Sequence, residues 1–345
     1  MRRKRAWTGT RRGRRSSVKD ACIWKPTEPP RAAARAGCRN ASPRTPALDA
    51  GGLVDAQCGL PLFVFPPGHP PDHPAMSHLA TPLPPAPADQ ASGFAHFPSL
   101  ANRAVFVTGG GSGIGAAIVS AFARQGARVA FVDVARPASE SLAQQLADAG
   151  HPRPWWRVCD VRDVAALQAS IGDAAAQLGD FSVLVNNVAN DDRHSLESVT
   201  PAYYDERMAV NERPAFFAIQ AVVPGMRRLG AGSVINLGSV SWQSKTPGFA
   251  CYTIAKASVN GLTRGLAKTL GQDRIRINTV SPGWVMTERQ IKLWLDAEGE
   301  QEIRRNQCLP DRLQAHDIAR MVLFLASDDA AMCTAQEFKV DAGWA

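Results

Sequence analysis

From residue 104 to residue 340, short and almost wholly apolar runs alternate with longer stretches whose apolar residues recur at helical spacing. No other feature restricts the fold as much. The apolar runs are residues 104–108, 128–134, 156–160, 183–186, 233–237, 275–281 and 337–340. Runs this short suit strands, and the lack of polar alternation means that both faces are covered. The helical pattern runs through residues 113–126, 139–150, 163–178, 203–228 and 252–270, the fourth of these long enough for two helices. A last helix falls at 317–327, after a longer insert. Strands of this kind separated by amphipathic helices pack as a parallel sheet between two helical layers. The expected architecture for residues 100–345 is a single α/β domain, a doubly wound parallel sheet of the Rossmann type.

Residues 1–99 do not share the pattern. They hold 14 of the 39 Lys and Arg residues, 6 of the 31 acidic residues and 16 of the 25 prolines. The formal charge of +8 therefore belongs to this segment. Such a composition cannot bury enough apolar area to offset chain entropy, so a disordered Arg/Pro-rich tail is expected. A nucleic-acid arm would want interleaved aromatics, and a transit peptide would want a helix unbroken by proline. A twin-arginine signal would need an apolar stretch where residues 16–20 are polar. The expectation adopted is that translation starts at Met76, with no nucleic-acid partner. No run reaches the roughly 18 apolar residues of a membrane span, so no membrane association is expected. The seven cysteines are scattered without a Cys-x-x-Cys pair, and the seven histidines lack ligand spacing. That pattern argues against a disulfide framework or a metal site and for a cytoplasmic protein.

The first apolar run leads into Thr108-Gly109-Gly110-Gly111-Ser112-Gly113-Ile114-Gly115. Glycines at 109, 113 and 115 allow a sharp turn and close approach to a pyrophosphate, and the following helix points its free N–H groups at the phosphates. Asp133 ends the second run, 18 residues beyond Gly115. This is near the ~20 expected of a carboxylate that binds the adenosine ribose. A carboxylate there repels a 2′-phosphate, and Ser112 is neutral, so NAD is expected rather than NADP. Arg136 is the one nearby cation that argues the other way, and a solvated loop arginine explains it as well. Asp160 and Val161 are placed to bracket the adenine; an alternative for Asp160 is a helix N-cap.

Tyr252 and Lys256 stand four apart at the start of an expected helix, on one face. A phenol with an ordinary pKa of ~10 is a poor base near neutrality, and an adjacent ammonium favours the phenolate. Ser239, thirteen residues upstream and just past the fifth run, can hydrogen-bond a reacting oxygen. Taken alone, the Tyr-x-x-x-Lys spacing is also that of an ordinary surface pair.

Together these segments resemble the short-chain dehydrogenase/reductase family over essentially all of residues 100–345. The family's glycine motif matches residues 108–115, its Asn-Asn-Ala-Gly motif corresponds to Asn186-Asn187-Val188-Ala189, and its Pro-Gly motif matches Pro282-Gly283. The resemblance implies a catalytic tetrad of Asn211, Ser239, Tyr252 and Lys256. In it Tyr252 exchanges the hydroxyl proton, Lys256 lowers the Tyr252 pKa and binds the nicotinamide ribose, Ser239 orients the oxygen, and Asn211 holds a relay water. It further implies cofactor contacts from Gly109, Ser112, Gly113, Ile114, Gly115, Asp133, Asp160, Val161, Asn187, Tyr252, Lys256, Pro282, Gly283, Val285 and Thr287. Val188-Ala189 departs from the usual Ala-Gly, and its extra methyls are expected to crowd the cofactor. A homotetramer is the family's usual assembly.

Substrate identity lies in the loops at the carboxyl ends of the strands. Here they are polar and carry indoles: Asn190-Asp191-Asp192-Arg193-His194, Val240-Ser241-Trp242, Trp284 with Glu288-Arg289-Gln290, and a chain end of Asp341-Ala342-Gly343-Trp344-Ala345. Such a mouth suits a polyhydroxylated ligand. The segments resemble the NAD-dependent aldose 1-dehydrogenase branch, which implies oxidation of a D-xylose-like sugar to its lactone. L-arabinose, D-galactose, L-fucose and L-rhamnose remain open. The expected substrate contacts are Asn190, Asp191, His194, Ser239, Trp242, Tyr252 and Trp284. A carbonyl reductase of the 3-oxoacyl type is the alternative within the family. A non-catalytic nucleotide sensor with a nucleic-acid-binding tail is the alternative outside enzymes.

Overall fold

The computed structural model describes residues 93–345. The expected start at Met76 and residues 1–92 of the expected disordered tail lie outside these, but the tail's last residues are ordered: Phe94 and Phe97 pack against the core, Gln125 bonds the main chain of Ala95 and Phe97, and Pro98–Leu100 form a 3₁₀ turn. Seven strands form one all-parallel sheet. They are β1 (Ala104–Thr108), β2 (Arg128–Asp133), β3 (Trp155–Val158), β4 (Val183–Asn186), β5 (Gly232–Leu237), β6 (Ile275–Pro282) and β7 (Glu337–Val340), in the order β3-β2-β1-β4-β5-β6-β7. The chain winds outward from β1 to β3 and then returns to place β4 beside β1. That reversal opens a crevice at the carboxyl ends of β1 and β4, where such sheets bind ligands.

The central strands β1, β2 and β4 are apolar on both sides because each side meets a helical layer. Val105 and Val107 of β1 join one core with Ile118 and Phe122 of α1 (Gly113–Arg124), Leu146 of α2 (Arg136–Asp148) and Ile318 and Val322 of α10 (Ala315–Ala326). Phe106, between them, points into the other core. There it meets Leu167 of α3 (Val164–Leu178), Ile219 of α5 (Arg213–Leu229) and Leu270 of α7 (Ala250–Gly271). The alternation of successive side chains along a strand is thus read directly in the two cores.

Several boundaries differ from expectation for local reasons. The stretch 203–228 is two helices, α4 (Pro201–Asn211) and α5, broken at Glu212 (φ −126°, ψ −58°). Pro214 follows in the first turn of α5, where a missing N–H costs nothing. Similarly, α2 starts three residues early because Pro137 fits its first turn. The insert before α10 is helical. It holds α8 (Glu288–Leu293) and α9 (Ala297–Asn306), capped by the side chains of Thr287 and Asp296. A four-residue helix, α6 (Ser241–Ser244), precedes α7. No helix among the described residues is long and apolar enough to cross a membrane.

A polar thread crosses the second core and fixes α7 on the sheet. Asn186 of β4 donates to Asn236 of β5 (2.9 Å), Asn236 donates to Thr263 of α7 (3.0 Å), and Thr263 shares a hydrogen bond with Thr279 of β6 (2.8 Å). All four residues are buried. Thr263 lies seven residues after Lys256, on the same helix face. Whatever locks Thr263 to the sheet therefore also sets the depth of Lys256. Replacing Thr263 with Val leaves buried partners unsatisfied, which costs about 1–3 kcal/mol. Equilibrium urea unfolding should show that loss as a lower midpoint with an unchanged slope.

Candidate active site

The carboxyl ends of the strands surround a cavity of about 260 Å³. Ser239, Tyr252 and Lys256 line it together, brought from the end of β5 and the first two turns of α7. Lys256 is buried and donates to the Leu237 carbonyl at 2.7 Å, with its ammonium 5.7 Å from the Tyr252 ring centroid. Burial lowers its pKa to about 8. Burial also pushes the Tyr252 phenol up to about 12, against the opposing pull of the Ser239 hydroxyl. Asp191 raises it further and Arg193 lowers it, which places both side chains within electrostatic reach of the phenol. In the protein alone, burial is the larger influence on this phenol.

The glycine turn sits at one end of the same cavity. Gly109 adopts φ +70°, which favours glycine, and a Cβ on Gly115 would stand 1.8 Å from the Gly109 carbonyl. The turn is therefore as tight as a phosphate cradle requires. Ser112 provides no side-chain cap to α1, so the N–H groups of its first turn are free to meet an anion. Asn187 fastens the turn by donating to the carbonyls of Thr108 (3.2 Å) and Gly109 (2.9 Å). Asp133 accepts from the Gly111 amide (2.8 Å) with one oxygen and from the Ala135 amide (2.9 Å) with the other. Gly113 faces Thr287 across the cavity, and Ile114, Pro282, Gly283 and Val285 line it. These residues fit a dinucleotide. Val188 packs where a side chain on Gly109 would stand, and Ala189 lines the cavity.

Asp160 and Val161 lie outside the cavity lining, while Thr287 lines it and also caps a helix. Asp160 is paired with Arg162 (2.6 Å), and Asp163 rather than Asp160 caps α3. Val161 is buried in the second core. The Thr287 hydroxyl accepts from the Gln290 amide as the cap of α8.

Of the expected substrate residues, Asp191, Ser239, Tyr252 and Trp284 line the cavity, while Asn190, His194 and Trp242 do not. Asn190 has its main chain clamped by Asn211, which accepts from its amide (2.8 Å) and donates to its carbonyl (3.0 Å). The other Asn211 N–H goes to the Arg207 carbonyl. The Asn211 side chain thus orders the loop, and a cavity of about 10 Å³ between it and Lys256 is near the size of one water. His194 has both ring nitrogens engaged away from the cavity. Trp242 is turned outward, 39% exposed, with its indole N–H on Glu337 (3.3 Å).

The remaining wall comes from residues outside the expected substrate contacts. Gln290 donates to Asp191 (2.8 Å) and accepts from the Trp284 indole (3.0 Å), tying α8 to the loop after β4. Arg289 and Arg207 both bind Asp192, at 2.6 Å and 3.1 Å. Burial acts to raise the Asp192 carboxyl, but the Arg289 and Arg207 hydrogen bonds bring it below its usual range. Arg193 lays its guanidinium over Phe249 (4.0 Å) and Trp294 (4.9 Å) and lines the cavity with Glu302 of α9 and Trp344. Asp341 holds the chain end by accepting from the Gly343 and Ala345 amides, which brings Trp344 against Trp284. Gln290 and Trp344 stood in polar, indole-bearing segments, a visible signal. Glu302 lay in an insert with no readable pattern until its caps were recognised.

A dinucleotide cradle feeding a Ser-Tyr-Lys site on a doubly wound sheet defines a hydride-transferring oxidoreductase. Residues 109–345 match a family model described as enoyl-(acyl carrier protein) reductase. The chain is 49% identical over 248 residues to a D-xylose 1-dehydrogenase of Caulobacter vibrioides, covering 72% of this chain and 98% of that protein. It is 48% identical over 247 residues to a probable galactose dehydrogenase of Rhizobium meliloti, covering 72% and 96%. Among solved structures, a 7α-hydroxysteroid dehydrogenase complexed with NADH superposes with a TM-score of 0.68 at 28% identity, covering 71% and 95%. A metagenomic blue fluorescent protein in complex with NADPH gives 0.67 at 35%, covering 72% and 99%. The chain belongs to the short-chain dehydrogenase/reductase family, whose members bind a nicotinamide cofactor and act on CH–OH groups.

The Tyr252 assignment can be read directly. In a difference titration of the nucleotide-free protein against Tyr252→Phe, the Tyr252 phenolate should appear well above pH 10, near 12. Ionisation below 10 would contradict the burial described here.

Proposed function

We propose that this protein oxidises the C1 hydroxyl of a cyclic aldose to a lactone, with NAD as the hydride acceptor. The observation that carries the reading is the make-up of the cavity. Its floor holds Ser239 and Tyr252, and its wall combines Asp191, Gln290 and Arg193 with the indoles of Trp284 and Trp344. Carboxylate, amide and guanidinium groups suit sugar hydroxyls, and indole faces suit sugar C–H surfaces. The two sugar dehydrogenases among the relatives support the same reading.

In this scheme Tyr252 takes the C1 hydroxyl proton and Ser239 holds the reacting oxygen. The nicotinamide supplies a carbon that accepts hydride. Ile114, Asn187, Pro282, Gly283, Val285 and Thr287 would hold it, with the turn at Gly109, Ser112, Gly113 and Gly115 under its phosphates. Lys256 presents its ammonium to the Tyr252 ring and would bind the ribose, and Asn211 would support a relay water in the small cavity beside Lys256. Asp133 would bind the adenosine ribose hydroxyls. It disfavours a 2′-phosphate by charge, and Arg136 stacks over Trp156 (5.9 Å), which favours NAD over NADP. A homotetramer is consistent with the open outer faces of α5 and α7, where Phe216 and Ile254 are exposed.

Steady-state reduction of NAD and NADP with a panel of D-xylose, D-galactose, L-arabinose, a long-chain alcohol and a hydroxysteroid tests the reading. An aldose should give the highest kcat/KM, with NAD preferred, and lactone should accumulate. A hydroxysteroid or acyl alcohol turned over faster than every aldose would overturn the substrate class, and faster reaction with NADP would overturn the cofactor.

A further inference from the structure

α7 begins badly for a helix that carries a catalytic side chain. Its N-cap is Phe249, whose side chain cannot accept a hydrogen bond from the first-turn amides. Yet Tyr252 is the third residue of that turn, where fraying would move the phenol.

The missing acceptor comes from 57 residues away. The Cys251 amide, in the first turn and next to Tyr252, donates to His194 Nε2 at 3.1 Å. An amide can only donate, so Nε2 is unprotonated and the ring proton of the neutral imidazole sits on Nδ1. Nδ1 faces the Asp192 carbonyl and the Tyr203 hydroxyl of α4, each at 3.1 Å. The Tyr203 ring packs edge-on against the imidazole at 5.2 Å. The His194 main chain reinforces the same link, its amide donating to the Gly248 carbonyl at 2.7 Å. Gly248 has φ +89°, so the turn that starts α7 is held by a glycine at its bend and by His194 on its outer side. His194 ends the loop that carries Asp191 and Arg193 into the substrate cavity.

We propose that His194 is a positioning residue: its Nε2 substitutes for the absent cap of α7 and holds Tyr252 in register with the substrate loop. It touches neither substrate nor cofactor. It sets the distance between the groups that grip the ligand, Asp191 and Arg193, and the group that takes the proton. A displacement of about 1 Å at such a group can cost on the order of 100-fold in rate. The inference rests on Tyr252 as the acid/base of the proposed reaction.

Two substitutions separate this role from simple packing. In His194→Gln the amide oxygen reaches where Nε2 stands and can accept from Cys251. In His194→Asn the shorter side chain reaches only the Nδ1 position and keeps the Tyr203 side alone. Turnover of an aldose, dissociation constants for NADH and melting temperatures are measured for both, beside wild type and Tyr252→Phe. The expected result is His194→Gln within about threefold of wild-type kcat. His194→Asn should fall in kcat by on the order of 10- to 100-fold, with NADH affinity and melting temperature little changed. Full kcat in His194→Asn, or His194→Gln as slow as His194→Asn, overturns the proposal. So does a loss in His194→Asn that appears equally in NADH affinity and melting temperature, because that is the signature of packing. If Tyr252→Phe itself keeps full activity, the reading of the site fails; if it is inactive while His194→Asn is unimpaired, only this inference fails.

Discussion

The arrangement depends on one buried hydrogen bond, from the Lys256 ammonium to the Leu237 carbonyl. An ammonium taken out of water is costly unless it is paired or hydrogen-bonded, and burial lowers its pKa to about 8. The fold accepts that cost because the bond fixes α7 against the end of β5, and both side chains proposed for catalysis descend from that contact. Ser239 lies two residues beyond the acceptor. Tyr252 lies one helical turn before the donor. The thread from Asn186 through Asn236 and Thr263 to Thr279 holds the same helix two turns deeper, so α7 is tied to the sheet at two heights.

The opposite wall of the cavity is held by charge and amide contacts rather than by apolar packing. Asn211 clamps the start of the loop after β4, Arg207 and Arg289 share Asp192 in its middle, and His194 closes its end. Exposed ion pairs of this type contribute modestly to stability, but several acting on one short loop restrict its geometry. α8 and α9 then lie over the mouth, held through Gln290 and Trp284. The result is a rigid floor for the proton and hydride chemistry and a polar wall that selects the ligand.

The sheet was legible in the sequence because a strand buried on both faces has a simple signature, an uninterrupted apolar run. β1 and β4 fall where those runs lie. The glycine turn and the Tyr252–Lys256 pair were legible because their chemistry requires fixed residue types at fixed spacing. What was not legible came from contacts between distant segments. Nothing local to His194 shows that its Nε2 meets an amide near residue 250, or that Asn190 is pinned through its main chain. The burial of Tyr252 was hidden for the same reason: a neighbouring ammonium is visible in sequence, whereas burial is not. The helices of the insert were hidden because α8 has no buried residue and α9 buries only Gly299 and Ile303.

The central claim is that one phenol, set by α7, handles the proton of the reacting hydroxyl. Single-turnover hydride transfer by Tyr252→Phe, with the nicotinamide cofactor and an aldose both saturating, tests it most directly. The account predicts a rate lower by roughly 10²- to 10⁴-fold, with cofactor affinity largely retained. Transfer at the wild-type rate would contradict it.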